Sequence, residues 1–248
     1  MQQEKIWDAD AAGRYDTPGS GMFAPEVLEP TVDRLAQLAE GGAALEFAIG
    51  TGRVAVPLAG RGVPVTGIEL SPLMVEQLRT KADEATIPVF MGDMATAVAP
   101  GKYTLVYLVF NTISNLLTQE EQVQCFRNAA RHLEPGGRFV IELWVPDVHK
   151  LPPDQKAVVC QSGPGHISLD TYDVLTQHVV SHHFDFEEGE RTAELFQSPH
   201  RYIWPSELDL MAQLAGFELE TRHADWADAE FTAESRSHVS VYRIPPAR

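Results

Sequence analysis

"EFAIGTGRVAVPLA", residues 46–59, decides how the rest of the chain is read. An apolar run leads in, a helix-like run leads out, and Gly50 and Gly52 flank one threonine between them. Glycine at such a junction permits positive φ or lets another group come close to the backbone. The reading turns on what comes close. On the near side, "AALEFAI" (43–49) reads as a buried strand, preceded by a helix-spaced stretch over 24–42 that stops at Gly41 and Gly42. On the far side, "RVAVPLAGRG" (53–62) reads as a short helix.

The alternation continues outward. "VPVTGIEL" (63–70) is a second strand, and Ser71-Pro72 is an N-cap with proline at the first helical position, opening a helix through about residue 85. "IPVFMGD" (87–93) and "YTLVYLVFN" (103–111) are strands three and four. "TQEEQVQCFRNAARHL" (118–133) begins with a Thr-x-x-Glu capping box, and "EPGGRFVIELWVPD" turns into strand five. Strands and helices at this spacing predict a parallel sheet covered on both faces. Residues 150–203 break the rhythm with strand-like runs and a hairpin turn at "EEGE", and so predict an antiparallel insertion. "PSELDLMAQLAGF" (205–217) resumes the helical pattern, and "ELETRHADW" and "SHVSVYRI" close the chain as an antiparallel pair at the sheet edge.

Composition narrows the partners. A formal net charge of -16 argues against a nucleic-acid backbone or an anionic membrane surface, both of which call for concentrated Lys and Arg. No apolar stretch reaches the ~18 residues of a membrane-spanning helix. The polar, acidic start does not read as a signal peptide, and Cys125 and Cys160 are too few for a disulfide framework or a cysteine metal site. A cytoplasmic protein, monomeric or homodimeric, is expected.

In an open parallel sheet, ligands bind beyond the carboxyl ends of the strands. The glycine turn lies there, although such turns also serve as plain punctuation. Glu69 ends strand two, where a carboxylate accepts from ribose hydroxyls or simply sits solvated; at a strand end its removal is expected to leave folding nearly intact. Asp93 ends strand three as an adenine acceptor or a turn residue. The dinucleotide fingerprint Gly-x-Gly-x-x-Gly is absent, because the register is Ala48-x-Gly50-x-Gly52.

Taken together, "LEFAIGTGR", "GIELSPLMVEQLR", "VFMGDM", "LVFNTISNL" and "RHLEPGGRFVIE" resemble the class I S-adenosylmethionine-dependent methyltransferases over about residues 44–146. The resemblance implies a Rossmann-like α/β fold, a doubly wound seven-stranded sheet of order 3-2-1-4-5-7-6 with the last strand antiparallel. It divides one methyltransferase domain into N-terminal cap helices (1–42), a cofactor-binding core (43–149), an antiparallel β insertion or lid (150–203), and a C-terminal helix with edge strands (204–248). It implies S-adenosylmethionine as cofactor, S-adenosylhomocysteine as product and a small-molecule acceptor with an N, O or C nucleophile.

The same resemblance assigns the cofactor site to Tyr15, Glu46, Ala48, Gly50, Thr51, Gly52, Arg53, Glu69, Leu70, Met74, Gly92, Asp93, Met94, Phe110 and Asn111. Gly50 and Gly52 underlie the methionine part, Glu69 holds the ribose, and Asp93 with the Met94 backbone holds adenine. Leu70 and Met74 pack on the adenine ring, Phe110 and Asn111 stand beside the acceptor, and Tyr15 closes over the cofactor. Ala48 departs from the family, which places its first glycine there. A non-catalytic cofactor-binding subunit and a nicotinamide enzyme are the alternatives.

Methyl transfer requires alignment, water exclusion and, for a hydroxyl acceptor, a base. In "HVVSHHFDF", alternation sets Val180, His182, Phe184 and Phe186 on one face and Ser181, His183 and Asp185 on the other. The apolar face is expected to meet the cavity, which makes His182 the candidate base or a hydrogen-bonded packing histidine. Tyr202 and Trp204 are expected on one strand face, shaping the acceptor pocket or filling core. His182, His183 and Asp185 do not make a metal site, because adjacent strand residues diverge.

Overall fold

The computed structural model describes residue 13 and residues 15–148, 151–187 and 192–246. Part of the N-terminal cap segment and most of the "EEGE" turn therefore lie outside the described residues.

β1 (Ala44–Phe47) is buried at every position. It lies between two parallel neighbours, β2 (Val65–Glu69) and β4 (Tyr103–Leu108). Both faces of such a strand are covered, which is why its sequence, Glu46 apart, is apolar and does not alternate. β3 (Val89–Met91) extends the sheet beyond β2, and β5 (Leu133–Trp144) pairs with β4. The last two strands, β10 (Glu218–His223) and β11 (Ser237–Arg243), complete a seven-stranded sheet of order β10-β11-β5-β4-β1-β2-β3. Discounting the four insertion strands, this is the expected 3-2-1-4-5-7-6 order, with β11 antiparallel to β5.

Helices α1 (Pro25–Leu38), α2 (Ala55–Gly60) and α3 (Pro72–Arg79) cover one face. There Leu35, Leu58 and Leu78 pack with Tyr107 and Val140 of the sheet. Helices α4 (Gln119–His132) and α5 (Pro205–Leu214) cover the other, where Phe126, Phe139, Phe217 and Tyr242 form the aromatic centre of a second cluster. The α4 capping box is formed at both ends: Thr118 Oγ1 accepts from Glu121 N, and the Glu121 carboxylate accepts from Thr118 N. No described helix is long and apolar enough to cross a membrane.

Several elements are shorter than the sequence expectation, and two of these boundaries have a visible local cause. α3 ends at Arg79, about a turn and a half before residue 85. Beyond it only isolated backbone turns continue, and side chains add to them: Arg79 donates to the carbonyls of Ala82 and Ile87, and Asp83 accepts from Thr86 N. β4 ends at Leu108 because Phe110 and Asn111 both take positive φ, at 57° and 60°. That bend turns the chain away from the sheet at its carboxyl edge.

The insertion is a separate antiparallel sheet in meander order, β6 (Ala157–Gly163), β7 (His166–Asp173), β8 (His178–Phe186) and β9 (Ala193–Arg201). Arg201 anchors it to the core. Its guanidinium donates to Gln122 Oε1 at 2.6 Å and to Glu207 Oε1 at 2.8 Å, and its carbonyl accepts from Gln122 Nε2. The pair is largely buried, so the charges are matched in a site with little water. Tyr202 and Trp204 lie past the end of β9, so they do not share a strand face; Trp204 is the N-cap residue of α5.

Candidate active site at the carboxyl ends of the strands

Between β1 and α2 the chain turns through Ala48, Gly50 and Gly52, with φ of 51°, 57° and 79°. The two glycines answer to different neighbours. A Cβ on Gly52 would stand 2.2 Å from Leu78 Cδ1 and 3.1 Å from Val56 Cγ2, so here a core side chain comes close. A Cβ on Gly50 would meet only Ala48 O, at 3.9 Å, because that side opens onto a cavity. Ala48 occupies the left-handed region with a side chain, a strain of about 1–2 kcal/mol for an L-residue. That is the physical reason a glycine is at home there.

Glu69 ends β2 beneath this turn. Its Oε2 accepts from Gly50 N at 2.8 Å, and its Oε1 accepts from Leu70 N at 2.9 Å and Ser71 N at 2.8 Å. Burial raises the carboxyl pKa above its ordinary value, against the lowering effect of those three amides. The residue is thus a brace for the turn as well as a wall of the cavity.

Glu46, in β1, is buried and accepts from Tyr107 Oη at 2.9 Å. Burial pushes its carboxyl up to about 8, opposed by the Tyr107 hydroxyl and the nearby Arg53. Between its ordinary 4.5 and about 8 the folded protein therefore holds a proton that the unfolded chain has lost, so this group's contribution to stability falls as pH rises through that window. Glu46→Gln is expected to remove that slope. The difference in Tm between variant and wild type should move in the variant's favour from pH 5 to pH 9, measured by thermal unfolding. A difference independent of pH would contradict the assignment.

The turn borders a cavity of about 320 Å³ whose walls include Tyr15, Gly50, Glu69, Met74, Phe110 and Asn111. A cleft of about 30 Å³ continues it past Glu46, Thr51 and Arg53. The N-terminal segment is tied across this end: Asp16 accepts from Thr51 Oγ1 at 2.6 Å and pairs with Lys81 at 2.6 Å. A second cavity, of about 490 Å³, lies between the insertion sheet and the ends of β4 and β5, with Asp170, Tyr172 and Tyr202 in its wall. Both volumes are in the range of small-molecule sites. The two cavities share Asn111, Trp144, Ser181 and His200 in their walls.

The bend at Phe110–Asn111 sits at this seam. Consecutive left-handed residues other than glycine are costly, about 1–3 kcal/mol each, and persist only where neighbours hold them. Glu142 does so from β5: its carboxylate accepts from Phe110 N at 2.8 Å and its carbonyl from Asn111 N at 3.1 Å.

A family profile for methyltransferase domains matches residues 44–137. The structure of the CcbJ methyltransferase from Streptomyces caelestis superposes with a TM-score of 0.82, at 36% identity over 96% of this chain and 96% of that one. The chain belongs to the class I S-adenosylmethionine-dependent methyltransferases. Among curated relatives, the cypemycin N-terminal methyltransferase of a Streptomyces species is 25% identical over 97% of this methyltransferase and 98% of its own length. The dTDP-3-amino-3,4,6-trideoxy-alpha-D-glucopyranose N,N-dimethyltransferase of Streptomyces venezuelae is 32% identical over 56% of this chain and 59% of its own.

Of the residues singled out in the methyltransferase sequence, Tyr15, Ala48, Gly50, Glu69, Met74, Phe110 and Asn111 line the 320 Å³ cavity. Glu46, Thr51 and Arg53 line its cleft. Gly52 is a packing glycine. Leu70, Gly92, Asp93 and Met94 lie at the ends of β2 and β3, outside these walls; Asp93 Oδ1 accepts from Ala95 N at 2.7 Å, a turn-capping bond. His182 requires correction. The β7–β8–β9 register pairs it with Leu169 and Gln197, and its ring bonds Thr171 Oγ1 and Gln197 Nε2, each at 3.0 Å. The opposite face, with Ser181 and His183, is the one that meets the cavities. The inward face of the insertion borders cavities and not a dry core, which is why polar side chains are at home on it. Sequence reasoning missed His200, Ser198 and Asp170, which enter the walls only through the strand register.

Proposed function

We propose that this methyltransferase transfers a methyl group to an amine nitrogen of a small molecule seated in the 490 Å³ cavity. The observation that carries the proposal is the seam: two cavities, one against the glycine turn and one under the insertion, meet at Asn111, Trp144, Ser181 and His200. The open side of Gly50 and the carboxylate of Glu69 fit a nucleoside cofactor on the first side. There Glu69 would hold the ribose, Glu46, Thr51 and Arg53 the methionine end, and Met74 with Leu70 the adenine ring, with Asp93 and the Met94 amide at its edge. Tyr15 would close over it. When bound, S-adenosylmethionine supplies a methyl group on a sulfonium that the acceptor displaces in line.

The chain's own residues align the acceptor and keep water out. Asp170, with the aromatic faces of Tyr172, Tyr202 and Trp144, suits a cationic amine through charge and cation–π attraction. A net charge of -16 draws such a cation in. Burial and the Asp170 charge raise the Tyr172 hydroxyl, so it stays a neutral donor in the wall. Two relatives are named for methylation at nitrogen, an N-terminus and an amino sugar, which supports the same acceptor atom here. Residues 150–203 act in this reading as the acceptor-side cover.

The test is transfer of label from methyl-labelled S-adenosylmethionine to a panel of small amines, amino sugars, phenols and alcohols. Label is expected in amines and not in phenols or alcohols, and Asp170→Asn is expected to raise the amine KM with little change in cofactor affinity. Label confined to hydroxyl compounds would overturn the amine assignment.

A further inference from the structure

We propose that His200, through the Ser198 hydroxyl, is the proton acceptor for the nitrogen that becomes methylated; this rests on the amine reading above. An amine bound as its cation has no free lone pair, so it must shed one proton before it can take the methyl group, and that proton needs a seat at the point where the two cavities meet. His200 is the histidine shared by both walls.

The hydrogen bonds around its ring fix which nitrogen is free. Trp144 N donates to Asn111 Oδ1, at 3.4 Å, which orients that amide with Nδ2 toward Ser114 Oγ, at 2.9 Å. Ser114 Oγ spends its own proton on the Asn111 carbonyl, at 2.6 Å. A hydroxyl has one proton to give. Facing His200 Nδ1 at 3.2 Å, Ser114 Oγ therefore accepts, and Nδ1 carries the ring proton. Nε2 keeps its lone pair and receives the Ser198 hydroxyl, at 2.8 Å. Ser198 lies in the wall of the cofactor-side cavity.

The transfer balances without any co-reactant. One N–H bond of the cationic acceptor breaks, leaving its electron pair on nitrogen to form the N–C bond as the S–C bond breaks, and an O–H bond forms at Ser198. The original Ser198 O–H bond breaks and an N–H bond forms at His200 Nε2. The product is an imidazolium that Ser114 Oγ accepts from and the Asp170 carboxylate stabilises. Burial lowers the His200 pKa, with Asp170 opposing, so at neutral pH the seat is empty and ready. The other titratable groups around it are Cys160 of β6, Tyr172 of β7, Tyr202 past β9, and Asp147, which is paired with Arg236 at 3.1 Å. On β8 it is His183 that faces the cofactor side.

Two measurements decide it. Long-range ¹H–¹⁵N spectra of histidine-labelled protein with S-adenosylhomocysteine, assigned with His200→Gln or, if that variant does not fold, with Ser198→Ala, need no acceptor. They are expected to show a neutral ring with Nδ1 protonated at pH 7, titrating below 6.5. An Nε2-protonated ring, or an imidazolium at pH 7, overturns the proposal. With an amine that acquires label in the panel above, His200→Gln is expected to lower kcat by about 10²-fold. The KM for S-adenosylmethionine should hold, and the acid limb of the kcat profile set by His200 should vanish. Ser198→Ala should lower kcat in the same sense by a smaller factor. A limb that persists in His200→Gln means a packing role only. If no amine acquires label, the amine reading fails by itself, and a wrong tautomer removes His200 by itself.

Discussion

Glu69→Ala is expected to weaken S-adenosylmethionine binding by about 1.5–3 kcal/mol, the range for hydrogen bonds to a charged group. That corresponds to roughly 10- to 150-fold in Kd. It is also expected to lower folding stability. A residue at a strand end reads as dispensable to folding, but this carboxylate accepts from Gly50 N, Leu70 N and Ser71 N. Removing it leaves these donors short of a partner at about 1–3 kcal/mol, set against relief of the cost of burying the charge. Calorimetric titration with S-adenosylhomocysteine and urea unfolding separate the two effects. Unchanged affinity in a folded variant would remove Glu69 from the cofactor site, and unchanged stability would show that the amides find other partners.

The two glycines of the turn should respond in opposite ways to the same added methyl group. Gly52→Ala is expected to destabilise the fold by about 2–5 kcal/mol, combining left-handed strain with overpacking. The overpacking arises because the new Cβ would lie 2.2 Å from Leu78 Cδ1. Gly50→Ala carries only the strain, about 1–2 kcal/mol. Its methyl points into the cavity, so it should weaken cofactor binding more than it weakens folding. Thermal unfolding and titration of both variants make the comparison. Equal losses of stability would mean that Leu78 gives way, and unchanged affinity in Gly50→Ala would mean that no ligand occupies that side of the turn.

The parallel sheet was legible because its strands are buried on both faces. The run "LVYL" in β4 is apolar without alternation, as β1 is apart from Glu46, and side-chain signals mark the helices between them. Thr118 with Glu121 and Ser71 with Pro72 are local devices, satisfied within a turn, so sequence alone places them. The end of α3 was not legible, because Arg79 reaches forward to the carbonyl of Ile87, beyond any helical spacing. The strand ends carrying Gly50, Glu69 and Asn111 followed from the sheet, since parallel strands bring their carboxyl ends to one edge.

The sequence by itself determined the α/β order, the strand ends at which the site is built and the existence of an antiparallel insertion. Those are consequences of periodicity, burial on two faces and short-range capping. Only the tertiary structure decided which face of the insertion looks inward. Alternation in β8 divides Val180, His182 and Phe184 from Ser181 and His183 without saying which set is covered, and every one of these residues is half-buried. The usual rule turns the apolar face in; here a cavity lies beneath the sheet, and the face with Ser181 and His183 turns in. The same register across β7, β8 and β9 brings Asp170, Ser198 and His200 to the seam, and Ser114, from the turn after β4, selects the ring nitrogen of His200. His200 stands 30 positions from Asp170 and 86 from Ser114, and only the tertiary fold brings them together.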